Sequence, residues 1–461
     1  MGTPADRPVV IASNRGPVAH SIVDGVAVGR RGSGGLVTGL APLVEAGRAT
    51  WIAAALTEGD RLAVATGMTG ADGLSVDLLA LDPEDHRLAY DVVSNETLWF
   101  AHHGLFDLTR TPAYDEQWWS AWDAYRRVNA AFADAVYERA AADSVVLVQD
   151  YHLCLLAPEV RRRRPDLTLV HFHHTPFAGP DTLRALPTVA RTELLRGLAA
   201  HHACGFHTPG WAANLRASWE HWGIGHDTTR LFDASLSSDA ASLLDTMASP
   251  ECRTAGDQLA EQIGDRRLVV RVDRMELSKN IVRGFRAFDL LLDRRADLRG
   301  AVSFLACCYP SREGVEAYRT YRDEVEAAAA AVNRRWGTED WTPVHLLTDD
   351  DFPRSLAALV RYDVLVVNPI RDGLNLVAKE GPIVNRNDGQ VVLSTQAGAF
   401  HELHDAVDAV DPFDLVDTAE AIAAALDRSP EDRARRAVRV RELSLSRTPA
   451  DWLADQLRAA G

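Results

Sequence analysis

The stretch Asn368-Pro-Ile-Arg-Asp-Gly-Leu-Asn-Leu-Val-Ala-Lys-Glu380 follows a short apolar run, Val364-Leu-Val-Val367. The β-branched run predicts a fully buried strand, and Pro369 and Gly373 predict a turn that leads into a helix. A glycine turn at the start of a helix directs free backbone N–H groups and the positive helix end towards one point. The stretch therefore predicts a site for a phosphate or diphosphate.

Two carboxylates extend this hypothesis from the phosphate to the sugars attached to it. Glu380 lies one helical turn after Leu376 on the same face, where it can accept two hydrogen bonds from a ribose diol. Asp372 lies in the turn itself and would face a sugar bound to the phosphates. In the alternative interpretation, Asp372 caps the helix and Glu380 is a solvated helix residue. The stretch alone does not decide between the two.

Length and composition restrict the class of protein. The chain has 461 residues, 47% of them hydrophobic and 25% charged, which predicts two or three globular domains. A formal net charge of -16 argues against nucleic acid or an anionic membrane as a partner. The five cysteines form no CxxC pair, and the sequence shows neither a signal-peptide core nor a membrane-spanning run. We therefore expect reduced, buried thiols and a cytoplasmic location.

Apolar strand-like runs alternate with helical segments along both halves of the chain. This alternation is typical of α/β proteins with mostly parallel, doubly wound sheets, whose ligands bind where strands end and helices begin. The runs lie at Val9–Ala12, Trp51–Ala55, Val145–Val148, Leu167–Phe172, Leu268–Val272, Val302–Ala306, Val364–Val367 and Val391–Ser394.

A Ser/Asp/Ala-rich stretch between Asp227 and Gly264 separates the two halves. We therefore predict two similar α/β domains, residues 1–245 and 265–444, which face each other across a cleft. The C-terminal helix, residues 445–461, is expected to complete the first domain.

A glycine-rich segment, Gly32-Ser-Gly-Gly35, opens a predicted helix in the first half, and Arg15 follows the first strand. The glycines let the backbone approach a ligand closely. The segment is not a complete G-x-G-x-x-G, because Val37 takes the third glycine position and no acidic residue follows about 20 residues later. A nicotinamide cofactor is thus disfavoured, and a tight βα-turn is the competing interpretation.

His173 and His174 end another predicted strand. Neighbouring strand residues point to opposite faces, so the pair cannot easily bind one ion, and no HxxxH or HExxH pattern lies nearby. We expect one histidine to line the cleft and hydrogen-bond a sugar, without a metal. Asp150, at the end of the preceding strand, is expected either to bind a sugar hydroxyl or to cap a helix.

Arg274 and Lys279 flank a turn after a buried strand in the second half. In that position they can neutralise a diphosphate leaving group without a metal ion. Two solvated surface charges are the alternative, but the phosphate-binding stretch in the same half favours the ligand-binding role.

Taken in order, these motifs resemble the trehalose-6-phosphate synthases, which are retaining sugar-nucleotide glycosyltransferases with the two Rossmann-like domains of the GT-B fold. The matches span nearly the whole chain, and the run from Arg371 to Glu380 is the most specific. They include Ser13-Asn-Arg15, Gly34-Gly-Leu36, Tyr90, Leu98-Trp99, Asp150-Tyr-His-Leu153, His174-Thr-Pro-Phe177, Gly205-Phe-His-Thr208, Arg274, Ser278-Lys279, Ser311-Arg312 and Arg371–Glu380.

The resemblance implies a role for each matching residue. Arg274 and Lys279 would hold the donor diphosphate, and Asp372 would hold the donor hexose. His174 would bind the transferring sugar and Asp150 the acceptor sugar, so that these five residues form the catalytic group. The remaining donor contacts would be Gly34, Gly35, Asn375, Leu376 and, on the ribose, Glu380. The pocket for the acceptor's 6-phosphate would consist of Arg15, Tyr90, Trp99 and Arg312.

The resemblance also implies the reaction. Glucose would move from UDP- or GDP-glucose to glucose 6-phosphate with retention of configuration, giving α,α-trehalose 6-phosphate. The leaving phosphate would take the acceptor proton, so no protein nucleophile, metal or cofactor is expected besides the nucleotide-glucose co-substrate.

One departure from the family pattern concerns the acceptor. The family's second pocket tryptophan is missing near Ala54, because Trp51 is followed by Ile-Ala-Ala-Ala55. Transfer to another sugar, an aminoglycoside or a cyclitol in secondary metabolism, including pseudo-glycosyl transfer, therefore stays an alternative. A catalytically silent sensor of sugar phosphates is disfavoured, since all the donor residues are present. The sequence leaves the donor base and a homo-oligomeric state open.

Overall fold

Parallel β-sheets organise both halves of the chain. The computed structural model describes residues 7–32 and 34–461. It divides into two compact units. The first consists of the chain up to Leu236 together with Pro449–Gly461, and the second is Ser237–Thr448. No helix among the described residues is both long and apolar enough to cross a bilayer. All five cysteines are buried and free, as predicted.

The first unit contains a seven-stranded parallel sheet, in the order β11-β10-β9-β8-β1-β4-β7 once its strands are numbered along the chain. The strands of this unit are β1 Val9–Ser13, β2 Val18–Val23, β3 Val26–Arg31, β4 Ala49–Ala54, β5 Gly70–Ala71, β6 Leu74–Ser75, β7 Asp77–Leu79, β8 Val145–Gln149, β9 Thr168–His173, β10 Ala203–Phe206 and β11 Arg230–Asp233. Strands β2 and β3 form a separate antiparallel hairpin, and β5 and β6 form a second short pair.

Helices connect these strands and cover the sheet. They are α1 Gly35–Glu45, α2 Glu58–Thr66, α3 Pro83–Arg87, α4 Trp99–His103, α5 Glu116–Arg139, α6 Leu156–Arg163, α7 Pro180–Leu183, α8 Thr188–Ala199 and α9 Pro209–His221. Between α3 and α4 the chain forms a π-helical segment, Leu88–Leu98. Every residue of β1 and β8 is buried, because helices cover both faces of a parallel sheet.

The second unit contains a six-stranded parallel sheet, in the order β14-β13-β12-β15-β16-β17. Its strands are β12 Arg267–Arg274, β13 Val302–Tyr309, β14 Val344–Leu347, β15 Val364–Val367, β16 Gln390–Ser394 and β17 Asp408–Val410. Its helices are α10 Ala240–Met247, α11 Pro250–Ile263, α12 Ile281–Arg294, α13 Glu316–Trp336, α14 Phe352–Arg361, α15 Val377–Val384, α16 Phe400–Leu403, α17 Leu415–Asp427 and α18 Pro430–Ser444. Strand β15 has the predicted bounds, and α15 ends two residues after Pro382.

The last helix, α19 (Pro449–Ala459), belongs to the first unit. Its Trp452 is fully buried, and the Trp452 and Phe172 ring centroids lie 5.1 Å apart in an edge-on contact. A Cβ on Gly39 would lie 2.6 Å from the Trp452 ring, so a larger residue at position 39 would displace the helix. The end of the chain therefore packs as part of the first unit.

Candidate active site

The carboxyl ends of two neighbouring strands, β12 and β15, bring Lys279 and Asp372 together in the second unit. Lys279 Nζ lies 2.7 Å from Asp372 Oδ2 and 3.6 Å from Asp273 Oδ1. Burial alone would lower the pKa of Lys279, but the carboxylates of Asp372 and Asp273 more than offset this and raise it. The ammonium group is therefore charged at physiological pH, as an anion-binding group requires.

A fully buried arginine lies beneath this pair. Arg271 donates from Nε to Asp273 Oδ2 at 2.9 Å, and its Nη2 donates to Lys279 O and Asn368 Oδ1, both at 2.8 Å. Burial raises the pKa of Asp273, whereas Arg271 and Lys279 lower it in part. Arg271 and Asp273, both buried, thus hold the turn that carries Lys279 in place. Sequence analysis missed both residues, although two charged residues in the apolar run after Leu268 were a visible signal.

The turn that carries Asp372 is held by backbone contacts with the turn after β16. The Asp372 N–H donates to Gln396 O, and the Gly398 N–H donates to Asp372 O, both at 3.1 Å. A Cβ on Gly398 would lie 2.0 Å from Gly373 O, so only glycine permits this approach. The two turns support each other and fix the direction of the Asp372 side chain.

Asn375 and Leu376 form the start of α15. Asn375 has a φ of 78°, donates from Nδ2 to Asp372 Oδ2 at 3.1 Å and accepts from the Ala378 N–H at 3.3 Å. The left-handed conformation of a non-glycine residue is held here by hydrogen bonds on both sides of the turn. Leu376 directly precedes the first helical residue, Val377, where unpaired backbone N–H groups favour an anion.

Glu380 lies one turn into α15 and is partly buried. Its Oε1 accepts a hydrogen bond of 3.5 Å from Ser238 Oγ. Burial raises the pKa of Glu380 to about 7, although the Ser238 hydroxyl lowers it in part. The Glu380 carboxyl group is therefore less exposed than that of a surface helix residue.

Arg274 and Arg312, which sequence analysis placed on different substrates, share one buried carboxylate in the second unit. Glu276 Oε1 lies 3.2 Å from Arg274 Nη2 and 3.9 Å from Arg312 Nη2. The Arg274 side chain is half exposed, and Arg312 donates from Nη1 to Tyr318 OH at 2.6 Å. Arg312 also has a φ of 51°, so its backbone is held in a strained conformation. Glu276 and Tyr318 were not among the predicted residues.

Arg15 and Tyr90 lie within hydrogen-bonding distance of each other in the first unit. Arg15 donates from Nη2 to Tyr90 OH at 3.3 Å, and the Tyr90 ring stacks on His86 and His152 with centroid distances of 5.6 and 5.7 Å. Burial and the charges of Arg15 and Arg61 lower the pKa of His86. Two guanidinium groups beside a neutral ring make this surface positive, which suits a phosphate.

Tyr90 lies in the π-helical segment, whose end is marked by a hydrogen bond from the Trp99 N–H to Ser94 O. Trp99 itself is only 2% exposed, and its ring centroid lies 4.1 Å from that of His103. π-helical turns are uncommon and occur frequently at functional sites. The placement of Trp99 in the acceptor pocket stays a prediction.

Asp150 and His174 are joined at the carboxyl ends of β8 and β9. Asp150 Oδ1 accepts from the His174 N–H at 3.0 Å. Asp150 has φ 67° and ψ 173°, a conformation that only glycine adopts without strain. Strain of this kind persists where the surrounding structure fixes a residue for a function, and here it directs a carboxylate at the sheet edge.

The His174 ring is oriented by a chain of hydrogen bonds that sequence analysis missed. Gln149 Nε2 donates to Gln456 Oε1 at 3.1 Å, which leaves Gln149 Oε1 to accept from His174 Nε2 at 3.0 Å. The proton of the neutral ring is thus on Nε2, and Nδ1 is the acceptor. Burial lowers the pKa of His174 to about 3, so the ring is neutral at physiological pH.

Gly34 and Gly35 begin α1 in the first unit. Gly34 has φ 115° and ψ 162°, which again requires glycine, and α1 has no side-chain cap on its first N–H groups. Ser33, between the glycines of the predicted motif, lies outside the described residues. Trp51 is buried and donates from Nε1 to Ser13 Oγ at 2.7 Å, so it supports the sheet rather than a pocket.

Metal-ligating side chains lie close together at one place in the described residues 7–32 and 34–461. This group consists of Cys154, His171 and His173, and His174 is not part of it.

The predicted site residues form separate groups within each unit. In the first unit the groups are Arg15 with Tyr90, Asp150 with His174, and Gly34 with Gly35; in the second they are Arg274 with Arg312, and Lys279 with Asp372, Asn375, Leu376 and Glu380.

An open cavity of about 450 Å³ lies elsewhere on the second unit. It is lined by Arg267 at the amino end of β12 and by Asp363 directly before β15. Ligands of open α/β sheets bind at the carboxyl ends of the strands, so this cavity is on the wrong edge to be the active site.

Two α/β units, each built on a parallel sheet with its predicted ligand residues at the carboxyl ends of the strands, agree with the GT-B class of glycosyltransferase. The family is then clear from the sequence over almost its whole length. The chain belongs to glycosyltransferase family 20, whose model matches residues 8–460.

Similar proteins agree with this assignment. The trehalose-6-phosphate synthase of Mycolicibacterium smegmatis is 33% identical over 481 residues, covering 98% of this chain and 92% of the relative. The structure "Trehalose-6-phosphate from E. coli bound with UDP-2-fluoro glucose" has a TM-score of 0.84 at 26% identity, covering 98% of this chain and 99% of that one. An alpha,alpha-trehalose-phosphate synthase (UDP-forming) from Burkholderia xenovorans in complex with glucose-6-phosphate gives 0.83 at 26% identity, with the same coverage. The predicted family and fold are confirmed.

Proposed function

We propose that this chain is a hexosyltransferase that moves glucose from a nucleotide-glucose to glucose 6-phosphate and so forms α,α-trehalose 6-phosphate. The observation that carries the proposal is the Lys279–Asp372 pair at the start of α15, in a chain that aligns over 98% of its length with a trehalose-6-phosphate synthase. A cation beside a carboxylate at a helix start offers one group for a diphosphate and one for the attached hexose.

The donor would be held by the second unit and by the start of α1. Lys279 and the half-exposed Arg274 neutralise the diphosphate, and the N–H groups near Asn375 and Leu376 add hydrogen bonds. Asp372 accepts from hydroxyls of the glucose, and Glu380 accepts from the ribose diol. Gly34 and Gly35 leave room for the backbone to approach the donor. UDP is the first nucleotide to test, since the similar Burkholderia enzyme is UDP-forming.

The acceptor would be held through its phosphate and one hydroxyl. Arg15, Tyr90 and Arg312 supply donors for the 6-phosphate, with Trp99 as a supporting aromatic residue. Asp150 accepts from a hydroxyl of the acceptor glucose, at the sheet edge where its Oδ1 also accepts from the His174 N–H. A carboxylate with one oxygen fixed in this way has a defined direction for the other.

We further propose that transfer proceeds with retention and without a metal ion. His174 is neutral, so it orients the transferring sugar through Nδ1 and does not act as a charged acid. The leaving diphosphate oxygen takes the acceptor proton on the same face from which it departs, and the new bond forms there. Lys279 and Arg274 stabilise the negative charge that develops on that oxygen, which is the role a metal has in other transferases.

One experiment tests the reaction. Purified protein is incubated with UDP-, GDP- or ADP-glucose, each with and without glucose 6-phosphate and with EDTA present, and products are identified by mass and by NMR of the anomeric protons. We expect α,α-trehalose 6-phosphate and free nucleotide diphosphate only when both substrates are present. If no donor releases nucleotide while UDP binding is measured, the transferase proposal is wrong.

The secondary-metabolism alternative is not favoured by the similar proteins described above, which include trehalose-phosphate synthases. It is tested in the same assay by replacing glucose 6-phosphate with glucose, an aminoglycoside or a cyclitol. Faster turnover with one of these acceptors would identify that alternative. Arg312→Ala should raise the KM for glucose 6-phosphate at least about tenfold, since one charged hydrogen bond is worth about 1.5–3 kcal/mol.

A further inference from the structure

The first unit contains a buried group of histidines and a cysteine that the proposed transfer does not use. His171 and His173 lie two residues apart on β9, so both side chains project from the same face of the strand. Cys154 follows the adjacent strand β8 after one short helical turn, Tyr151–Leu153. All three side chains have 0% exposure. The Cys154 thiol donates to Tyr151 O at 3.5 Å, a contact that is given up if the thiol loses its proton to a metal ion.

The distances within this group fit one metal ion better than a hydrogen-bonded pair. His171 Nε2 and His173 Nδ1 are 3.3 Å apart, and one ligand atom from each of the three residues lies within 4.8 Å of the others. A tetrahedral zinc with Zn–N bonds of about 2.0–2.1 Å places two nitrogens roughly 3.3 Å apart. An N–H donor normally approaches its acceptor more closely than this, at about 2.9–3.0 Å.

A contact outside the group supplies what one of the two proposed metal-binding histidines needs. His173 Nε2 lies 3.0 Å from Thr175 Oγ1, so the nitrogen away from the proposed ion has a hydrogen-bond partner that fixes the ring. His171 Nδ1 has no hydrogen-bond partner in the described part of the chain, although the residue is fully buried. The ring of His201, also buried, has its centroid 5.1 Å from that of His171, but its nitrogens are not part of the group.

We propose that Cys154, His171 and His173 bind a structural zinc ion in the first unit. Two imidazoles and one thiolate form a nitrogen–sulfur ligand set, which zinc accepts and which magnesium and calcium do not. Binding releases the thiol proton of Cys154 to solvent, and the Zn–S bond replaces the S–H bond. Closing the site requires Cys154 Sγ to move towards the two nitrogens by about 1 Å, since the Zn–S bond is about 2.3 Å.

The ion would connect the two loops that carry proposed substrate residues. Cys154 follows Asp150 in the loop after β8, and His173 directly precedes His174 at the end of β9. Zinc would therefore hold Asp150 and His174 in a fixed relation without contacting a substrate. It has no part in the transfer step, which stays metal-independent in the function proposed above.

Metal content and spectroscopy test this proposal independently of transfer activity. The full-length protein is produced in zinc-supplemented medium, dialysed against EDTA and analysed for metal by mass spectrometry; a second sample is refolded with Co²⁺. We expect about one zinc per chain to be retained, and a thiolate-to-cobalt charge-transfer band in the near ultraviolet. Less than about a tenth of one zinc per chain together with no cobalt band would overturn the proposal.

Variants locate the ligands. Cys154→Ser should abolish the charge-transfer band, and His171→Gln and His173→Gln should each weaken zinc binding at least about 100-fold, more than loss of an outer-shell partner does. Cys204→Ser is the matched control, because Cys204 is equally buried in the neighbouring strand β10 but outside the group. Added zinc should raise the Tm of wild type and Cys204→Ser, not of Cys154→Ser. A cobalt–thiolate band that survives in Cys154→Ser would contradict the assignment.

Discussion

Lys279 is one of only two lysines in the chain, and the other, Lys379, is fully buried and paired with Glu402. Arginine supplies all other fixed positive side-chain charge. A compact ammonium group that donates to Asp372 and lies close to Asp273 can turn its N–H groups towards a phosphate oxygen by a small rotation. A planar guanidinium group would need more room, so a lysine fits this position better than an arginine would.

The first prediction concerns the charge of Lys279. Lys279→Met should lower kcat by about 100- to 1,000-fold, because a preorganised charge at the leaving group is lost. It should also lower the free energy of unfolding by about 1 to 3 kcal/mol, since Asp372 and Asp273 lose their shared cation. Steady-state kinetics and urea unfolding measure both effects. Arg294→Met, which removes an exposed ion pair with Glu420, is the control and should leave both unchanged. Wild-type kcat in Lys279→Met would exclude the diphosphate role.

The second prediction uses the raised pKa of Glu380, about 7 because of burial. If the ribose diol donates to the carboxylate, UDP must displace the proton, so at pH 6 the affinity for UDP should be roughly tenfold lower than at pH 8. Calorimetry in buffers of different ionisation enthalpy should detect proton release at pH 6.5. Glu380→Gln should bind more weakly, with neither the pH dependence nor the proton release; a pH dependence unchanged in this variant would assign it to another group.

Glu380 also links pH to stability, with a definite sign. Its folded pKa lies above its ordinary value of 4.5, so between pH 4.5 and 7 the folded protein keeps a proton that the unfolded chain has lost. Stability without ligand therefore falls as the pH rises through this window. Glu380→Gln should match wild type at pH 4 and exceed it by about 2 to 3 kcal/mol at pH 8. Unfolding curves at the two pH values distinguish these outcomes.

At the scale of elements, the turn after β8 places a strained backbone at a residue with a proposed role in acceptor binding. Asp150 has the backbone angles of a glycine, φ 67° and ψ 173°, and its carboxylate binds the His174 N–H. Asp150→Ala keeps the strain and removes the carboxylate, whereas Asp150→Gly removes both. We expect the glycine variant to be more stable than the alanine variant by about 1 kcal/mol or more, and both to be inactive. Equal stability of the two variants would show that the turn relaxes and stores no strain.

The strands that follow simple patterns were predictable. The buried, β-branched runs Val364–Val367 and Val145–Val148 form β15 and most of β8. A strand covered by helices on both faces is apolar at every position, so a continuous apolar run predicts it directly. The hairpin of β2 and β3 was missed, although Asp24-Gly25 between two strands is a strong turn signal, and both residues have positive φ. Its exposed valines and isoleucine obscured the usual alternation.

Two features of the site had no local signal. The π-helical form of Leu88–Leu98 depends on hydrogen bonds that tertiary packing selects, and short sequence windows do not distinguish it from an α-helix. The orientation of His174 depends on Gln456, 307 residues after Gln149, so it requires the folded chain. The candidate site residues could therefore be predicted from the sequence, whereas the residues that orient their side chains could not.

At the scale of the whole molecule, the chain returns to the first unit after it has formed the second, and this return completes the packing of the first unit. The proposed donor residues Arg274, Lys279, Asp372 and Glu380 lie in the second unit, while Arg15, Asp150 and His174 lie in the first. Helix α19 adds Trp452 and Gln456 to the first unit after the second is complete. The first unit therefore cannot reach its final packing until the last residues of the chain are available.

The last prediction separates the contributions of α19. Trp452→Ala should destabilise the first unit by about 3 to 5 kcal/mol, because a fully buried ring is removed from its contacts with Phe172 and Gly39. Calorimetry should show a lower transition temperature for this unit, while UDP affinity, which depends mainly on the second unit, changes less than about tenfold. Gln456→Leu keeps the packing but cuts the hydrogen bond to Gln149, so it should lower kcat with little change in stability, as the His174 ring is no longer held with its proton on Nε2. If Gln456→Leu retained wild-type kcat, other contacts would orient the His174 ring. The hydrogen bonds from Gln456 through Gln149 would then have a structural role only.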